Sequence, residues 1–323
     1  MTQALPRRQL GQSELMVSPI GLGCAQFSEG VGSTGRFWPA IPDGVTRAIV
    51  EAALEGGMNW FDTAESYGGG ASESALARAL DALGHSPAET IIATKWSPFL
   101  RTAASLRATI DERLSALTVS RIDLHQVHQP FHLSSTKAVM DAMADLIEGG
   151  KVRYAGVSNY SAKRMRRAQE AMVARGLPLV TNQVRFGLLD RGIERNGILQ
   201  MAKELGITIM AYSPLAQGML SGKYHDDPEL INTKSGIFKR FSGYNKNLKR
   251  SRPILAKLKQ IAARHEATPA QVALSWTINF HGETVVAIVG ASKQHQAEES
   301  AAAMKLALTP EEMSELDEVS REG

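Results

Sequence analysis

Eight short runs rich in apolar and β-branched residues recur along the chain at intervals of roughly thirty residues: PIGLGC, MNWFDTA, TIIATKW, IDLHQVH, KVRYAGVSN, PLVTNQV, ITIMAYS and TVVAIVG. Between them lie segments with apolar residues at helical spacing, such as GVTRAIVEAALEGG, SAKRMRRAQEAMVARG and NGILQMAKELG, each stopped by glycine. Strand and helix therefore alternate, with no compositional break or Pro/Ser-rich linker between halves. This pattern predicts an α/β fold in which the whole chain, 1–323, closes as a single (β/α)8 TIM barrel domain. An open doubly wound sheet is disfavoured, because the turn GLGCAQ opens no helix within a G-x-G-x-x-G frame. Ahead of the first run, QLGQSELMVSP alternates like an N-terminal β-hairpin that closes the bottom of the barrel. The stretch between strands 7 and 8 is much longer than its counterparts and reads as a long polar loop serving the active-site face. Two late helices carry start signals: Thr268, Pro269 and Gln271, then Thr309, Pro310 and Glu312, each supply an N-cap, a first-turn proline and a capping-box partner.

Composition bounds the function. The chain is 43% hydrophobic and 21% charged, an ordinary globular balance, and its net charge of +3 is too small to argue for nucleic acid. The basic and aromatic stretch from Phe238 to Arg252 is read as a solvated loop and helix start. Cys24 is the one cysteine, so no intrachain disulfide or cysteine-rich zinc site can form, and a reducing, cytoplasmic setting is expected. The N-terminal stretch lacks an apolar leader core, and no run of about 18 apolar residues occurs, so neither secretion nor membrane insertion is expected.

In such a barrel, reactive groups sit where strands end and loops converge. Asp62 ends the second strand with Tyr67 in its loop; Lys95 ends the third; His125 and His128 lie on the fourth; Ser158 and Asn159 end the fifth, Gln183 the sixth, and Tyr212 and Ser213 the seventh. That set suits proton chemistry, with Tyr67 as an acid whose pKa Lys95 lowers from its usual value near 10, and Asp62 holding the lysine's charge. His128 is the kind of donor that orients a carbonyl oxygen. No metal-ligand cluster is evident, and His125 and His132 are read as packing or surface residues.

FDTAESYG, ATK, DLHQVHQP, GVSNY, NQV, AYSPLAQGMLSGKY and GASKQHQAEES, in this order, resemble the aldo-keto reductase family over nearly the whole chain. The resemblance implies a (β/α)8 barrel that uses NADP(H) to interconvert carbonyls and alcohols, with Asp62, Tyr67, Lys95 and His128 as the catalytic group and Tyr67 as proton donor. It also implies that Ser158, Asn159 and Gln183 bind the nicotinamide carboxamide and that Tyr212 stacks beneath its ring. Ser213, Leu215, Gln217, Gly218, Ser221 and Lys223 would follow the ribose and pyrophosphate. Gly290, Ser292, Lys293, Gln296, Glu299 and Ser300 would form the adenosine end, where Ser292 and Lys293 suit a 2′-phosphate. Phe37, Trp38 and Trp96 are candidates for the walls of the substrate pocket. The chain departs from the family pattern at Val289, where proline is usual, at Ser300, where asparagine is common, and at His125, often tyrosine.

The expected partner is a small-molecule carbonyl compound, and the default state is a monomer. Two other functions fit parts of the pattern: an NADPH-binding regulatory subunit of the potassium-channel β-subunit type, and a lyase in which Lys95 forms a Schiff base. The N-terminal stretch carries no obvious inactivation-type extension, which ranks the first of these low.

Overall fold

The computed structural model describes residues 7–32, 38–85, 90–233 and 244–321. All eight apolar runs are strands: β3 (Ile20–Gly23), β4 (Trp60–Asp62), β5 (Ile91–Trp96), β6 (Ile122–Val127), β7 (Val152–Ser158), β8 (Leu179–Arg185), β9 (Thr208–Tyr212) and β10 (Val285–Gly290). They pair in parallel and in sequence order, and β10 pairs with β3, so the sheet closes into a barrel. Helices return the chain between strands, where the near-continuous apolar runs of the buried strands give way to apolar residues at a period of about 3.6. Ser135 and Ser161 cap two of these helices through their side chains, each accepting a backbone N–H of the first turn.

The expected hairpin is present. β1 (Arg8–Gln9) pairs antiparallel with β2 (Met16–Val17), and its Leu10, Leu15 and Val17 enter the barrel beneath Trp60, Leu124 and Met210. Arg8 anchors it, donating to the carbonyl oxygens of Ile278 and, at 2.6 Å, Val285. Gly11 allows the close approach to β8, since a Cβ there would lie 2.3 Å from the Val180 carbonyl oxygen.

Side chains alternate along the strands, apart from a register shift where Ala155 and Gly156 of β7 pair with Leu179 and Thr181 of β8. On β5, Ala93 and Lys95 face the barrel interior while Ile92 packs outward against the helices. On β6, Leu124 and Gln126 face inward and Val127 outward. Both late capping boxes form: Gln271 and Thr268 reciprocate at the helix Pro269–Asn279, and Glu312 and Thr309 do so at Pro310–Arg321. The connection after β9 holds a 3-10 turn (Ala216–Ser221), the short helix Lys223–Asp226 and the long helix Tyr244–Arg264 ahead of Pro269–Asn279. Tyr244 to Arg252 of the basic stretch open that long helix, and residues 238–243 lie outside the described residues. No described helix is long and apolar enough to cross a membrane.

Candidate active site

The C-terminal ends of the strands surround a cavity of about 570 Å³. Its floor is built on a buried ion pair. Lys95 Nζ donates to Asp62 Oδ2 at 2.5 Å and to the Thr63 carbonyl oxygen at 2.8 Å, and it lies 3.5 Å from the Tyr67 hydroxyl oxygen. Asp62 has its other oxygen satisfied by Gln126 Nε2 at 3.2 Å and Gln183 Nε2 at 2.9 Å. A carboxylate and an ammonium withdrawn from water are tolerated in this place because each finds several partners.

The Tyr67 ring is half-buried, with Lys95 Nζ 4.9 Å from its centroid and the His128 ring edge-on at 5.6 Å. Burial pushes the phenol's pKa above its ordinary value; Lys95 opposes the rise without cancelling it, and Asp62 adds to it. This corrects the expectation of a lowered pKa: the lysine's charge is already spent on Asp62, and desolvation wins. Burial also works against the charge of Lys95, yet Asp62 and Tyr67 more than offset it, and the ammonium is held above its ordinary value. His128 is driven down to about 3 by burial and by Lys95, so its imidazole is neutral at pH 7. Its Nδ1 meets the Ser66 hydroxyl at 3.2 Å. The arrangement is a neutral phenol and a neutral imidazole over a buried cation, competent to give a proton to an oxygen that gains charge.

The remaining expected residues divide. Ser158, Asn159, Gln183, Tyr212, Ser213, Leu215, Gln217, Gly218, Ser221, Lys223, Gly290, Ser292, Gln296, Glu299, Ser300 and Trp38 all line the cavity with Asp62, Tyr67 and His128. Tyr212 donates to Asn159 Oδ1 at 3.0 Å, and Asn159 Nδ2 donates to Ser158 Oγ at 3.0 Å. Asn159, Ser213 and Gln217 have positive φ, a strained backbone concentrated at one site. Glu299 accepts from the Thr268 hydroxyl, and Ser300 donates to the Gln296 carbonyl oxygen at 2.7 Å.

Three expectations fare differently. Trp96 is buried in the layer between barrel and helices and does not line the cavity, because it is one residue beyond Lys95 and points to the opposite face. Lys293 is exposed at the start of the helix Gln294–Ala302 and is not among the lining residues. Phe37 lies outside the described residues. Of the two histidines on β6 and its end, His125 faces the helices, buried, and His128 reaches the cavity, as strand alternation requires.

Sequence reasoning missed Gln126, although it sits one pleat before His128 on the same inward face. It also missed Ser66 beside His128, and Gln26, which lines the cavity from the turn after β3. Among the described residues, no group of three or more His, Cys, Asp and Glu side chains gathers as metal ligands.

The profile of the Aldo/keto reductase family matches residues 19–321. An uncharacterized oxidoreductase of Mycobacterium tuberculosis is 38% identical over 94% of this chain and 90% of its own length. A probable aldo-keto reductase of Glycine max is 31% identical over 98% of this chain and 90% of its own. Among solved structures, the glycerol dehydrogenase of Gluconobacter oxydans superposes with a TM-score of 0.79 at 25% identity, covering 98% of this chain and 95% of that one. A thermostable aldo-keto reductase in complex with the inhibitor epalrestat gives 0.76 at 26% identity, covering 97% and 99%.

Proposed function

Because the chain belongs to the aldo/keto reductase family, and is thereby an oxidoreductase acting on carbonyl compounds, we propose that it reduces aldehydes or ketones to alcohols with NADPH, Tyr67 serving as proton donor. The observation that carries the reading is the Asp62–Lys95 pair, 2.5 Å apart, set beneath a Tyr67 hydroxyl that burial keeps protonated.

The cavity suits a dinucleotide in its donor set: amides and a hydroxyl at Asn159, Gln183 and Ser158, an aromatic face at Tyr212, a cation at Lys223, and polar groups at Ser292 and Gln296. When bound, the nicotinamide supplies a hydride to the carbonyl carbon. Tyr67 gives its phenolic proton to the carbonyl oxygen, and the Lys95 ammonium 3.5 Å away stabilises the phenolate left behind. His128 donates an N–H to the same oxygen and orients it. Gln183 offers its amide oxygen to a carboxamide N–H, its nitrogen being held by Asp62. NADP(H) is proposed over NAD(H) on Ser292 at the β10 end and Lys293 beside it in the chain; Lys293 has to turn inward to reach a 2′-phosphate. The substrate is a small carbonyl compound, and the proposed working unit is a cytoplasmic monomer.

A Schiff-base role for Lys95 is disfavoured, since its protonated amine is fully buried, is held by three oxygens and does not line the cavity. Turnover followed by nicotinamide absorbance tests the main reading. Tyr67→Phe should cut kcat by roughly a hundred- to ten-thousandfold while NADPH binding, followed by tryptophan quenching, stays unchanged. Since reduction needs the neutral phenol and its pKa is raised, wild-type kcat should hold level with pH and fall only above about 10. Retained turnover in Tyr67→Phe would mean another acid, and tight NADPH binding with no turnover by the wild type would point to a binding subunit.

A further inference from the structure

Behind the ion pair of the active site stands a second one that does not line the cavity. Glu73 lies in the first turn of the helix Ala71–Ala82 and is fully buried. Its Oε2 accepts from Arg113 Nη1 at 2.7 Å and its Oε1 from the Thr94 hydroxyl at 2.5 Å, Arg113 reaching in from the helix Ile110–Leu117. The pair sits in the layer between barrel and helices, whose core holds Leu76, Leu80, Ile92 and Ile110. Its polar match is incomplete. Among the described residues, Arg113 Nε is buried without a hydrogen-bond partner, and so is Nδ1 of His125, the residue opposite Thr94 in the sheet register. Burial pushes the Glu73 carboxyl up to about 7, against the pull of Arg113 and Thr94. Apolar side chains of similar volume commonly stabilise such a place as well as a buried pair does, so stability alone does not account for this one.

Its position does. Between Tyr67 and Glu73 the chain turns through Gly68, Gly69 and Gly70, with φ of 70°, 66° and 102°, and the Ser72 N–H donates to the Tyr67 carbonyl oxygen at 3.1 Å. A Cβ at Gly70 would stand 3.3 and 3.4 Å from the two terminal nitrogens of Arg113, so the guanidinium lies against the backbone of that turn. Thr94 precedes Lys95 on β5 and points to the opposite face. Glu73 therefore ties the turn that carries Tyr67 to the strand that carries Lys95 on the outer side of the barrel wall, while phenol and ammonium meet 3.5 Å apart on the inner side. Both ties are donations that a carboxyl accepts with or without a proton, so they do not depend on its charge.

We propose that Glu73 is a positioning residue for carbonyl reduction: with Thr94 and Arg113 it fixes the separation of the Tyr67 hydroxyl from the Lys95 ammonium. The inference rests on the catalytic reading above and adds to it three residues that do not line the cavity.

Reduction followed across pH on the purified full chain tests it, with NADPH affinity from tryptophan quenching and stability from chemical denaturation measured alongside. Thr94→Val keeps the shape of the side chain and deletes one tie, and should lower kcat by about three- to tenfold, the worth of one hydrogen bond. Glu73→Gln turns one acceptor into a donor that faces Thr94 or Arg113. It should lower kcat by roughly ten- to a hundredfold, since small displacements of reacting groups are felt that strongly. NADPH affinity should hold in both. Lys95 works to lower the phenol's pKa, so a wider separation also moves the alkaline fall of kcat to higher pH. Thr94→Ser, which keeps the hydroxyl, should restore both rate and profile. A pair that only supports the fold would lower the denaturation midpoint in these variants and leave the alkaline fall where it was. A kcat for Thr94→Val within about twofold of wild type would overturn the proposal, and so would a lowered kcat whose alkaline fall has not moved. Thr94→Val decides the matter even if Glu73→Gln fails to fold. Absence of turnover in the wild type would overturn the catalytic reading itself, before any variant is compared.

Discussion

Two layers of the barrel interior, stacked one pleat apart on the same strands, behave as different materials. The lower layer consists of Trp60, Ala93, Leu124, Met210 and Val286, sealed from below by Leu10, Leu15 and Val17 of the hairpin. Two residues further along the same inward faces stand Asp62, Lys95, Gln126 and Tyr212. A rise of about 7 Å separates a dry apolar plug from a buried ion pair. The lower layer needs only volume and shape, whereas the upper one needs every polar atom matched, and Asp62 meets that demand with Lys95, Gln126 and Gln183. The hairpin closes the end where nothing reacts and leaves the other open to the cavity.

The strongest way to break this contrast is to remove one charge from the upper layer. Lys95→Met leaves Asp62 buried with only amides for partners and should cost about 3 to 5 kcal/mol in chemical denaturation, with carbonyl reduction lost as well. Adding Asp62→Asn should restore most of the stability and none of the activity. Recovered activity in that double variant would show that the ion pair is structural support alone.

The lower layer provides the control. Leu15→Ala opens a cavity under the barrel and should cost roughly 2 to 5 kcal/mol, with kcat and NADPH affinity of the folded protein unchanged. A fall in kcat comparable to the loss of stability would mean that the two layers are mechanically coupled, and the plug would then belong to the active site.

The two layers also differ in how readily the sequence disclosed them. Apolar, β-rich runs recurring every thirty residues or so located the eight strands, and alternation in QLGQSELMVSP located the hairpin, because each is a local property of its run. Asp62, Tyr67, Lys95 and His128 were legible as polar residues interrupting apolar strand ends. Gln126 was open to the same reasoning, as His128 lies two residues beyond it. Trp96 was misplaced for a different reason: proximity in sequence to a site residue says nothing about which way the next side chain points, and alternation sends Trp96 outward. The direction of the Tyr67 shift was hidden because it depends on a balance of burial against charge, which residue identities alone do not fix. Gln26 and Ser66 gave no signal, since each is defined by a partner remote in sequence, Gly290 and His128 respectively.

The smallest effect expected concerns Ser66. Its hydroxyl lies 3.2 Å from His128 Nδ1, and the imidazole, held down to about 3, is neutral throughout the working range, so one ring nitrogen carries a proton and the other does not. If Ser66 donates to Nδ1, the proton sits on Nε2, leaving an N–H to meet the carbonyl oxygen. Ser66→Ala removes that bias and should lower kcat by about three- to tenfold, the worth of one neutral hydrogen bond, while NADPH affinity and stability hold. Ser66→Thr should recover the loss by keeping the hydroxyl. The nitrogen chemical shifts of His128 report the change directly, with an Nε2–H signature in wild type and a tautomer mixture in Ser66→Ala. A wild-type signature that survives in Ser66→Ala would assign the tautomer to the burial of the ring rather than to Ser66, and would make the upper layer depend on desolvation more than on its paired groups.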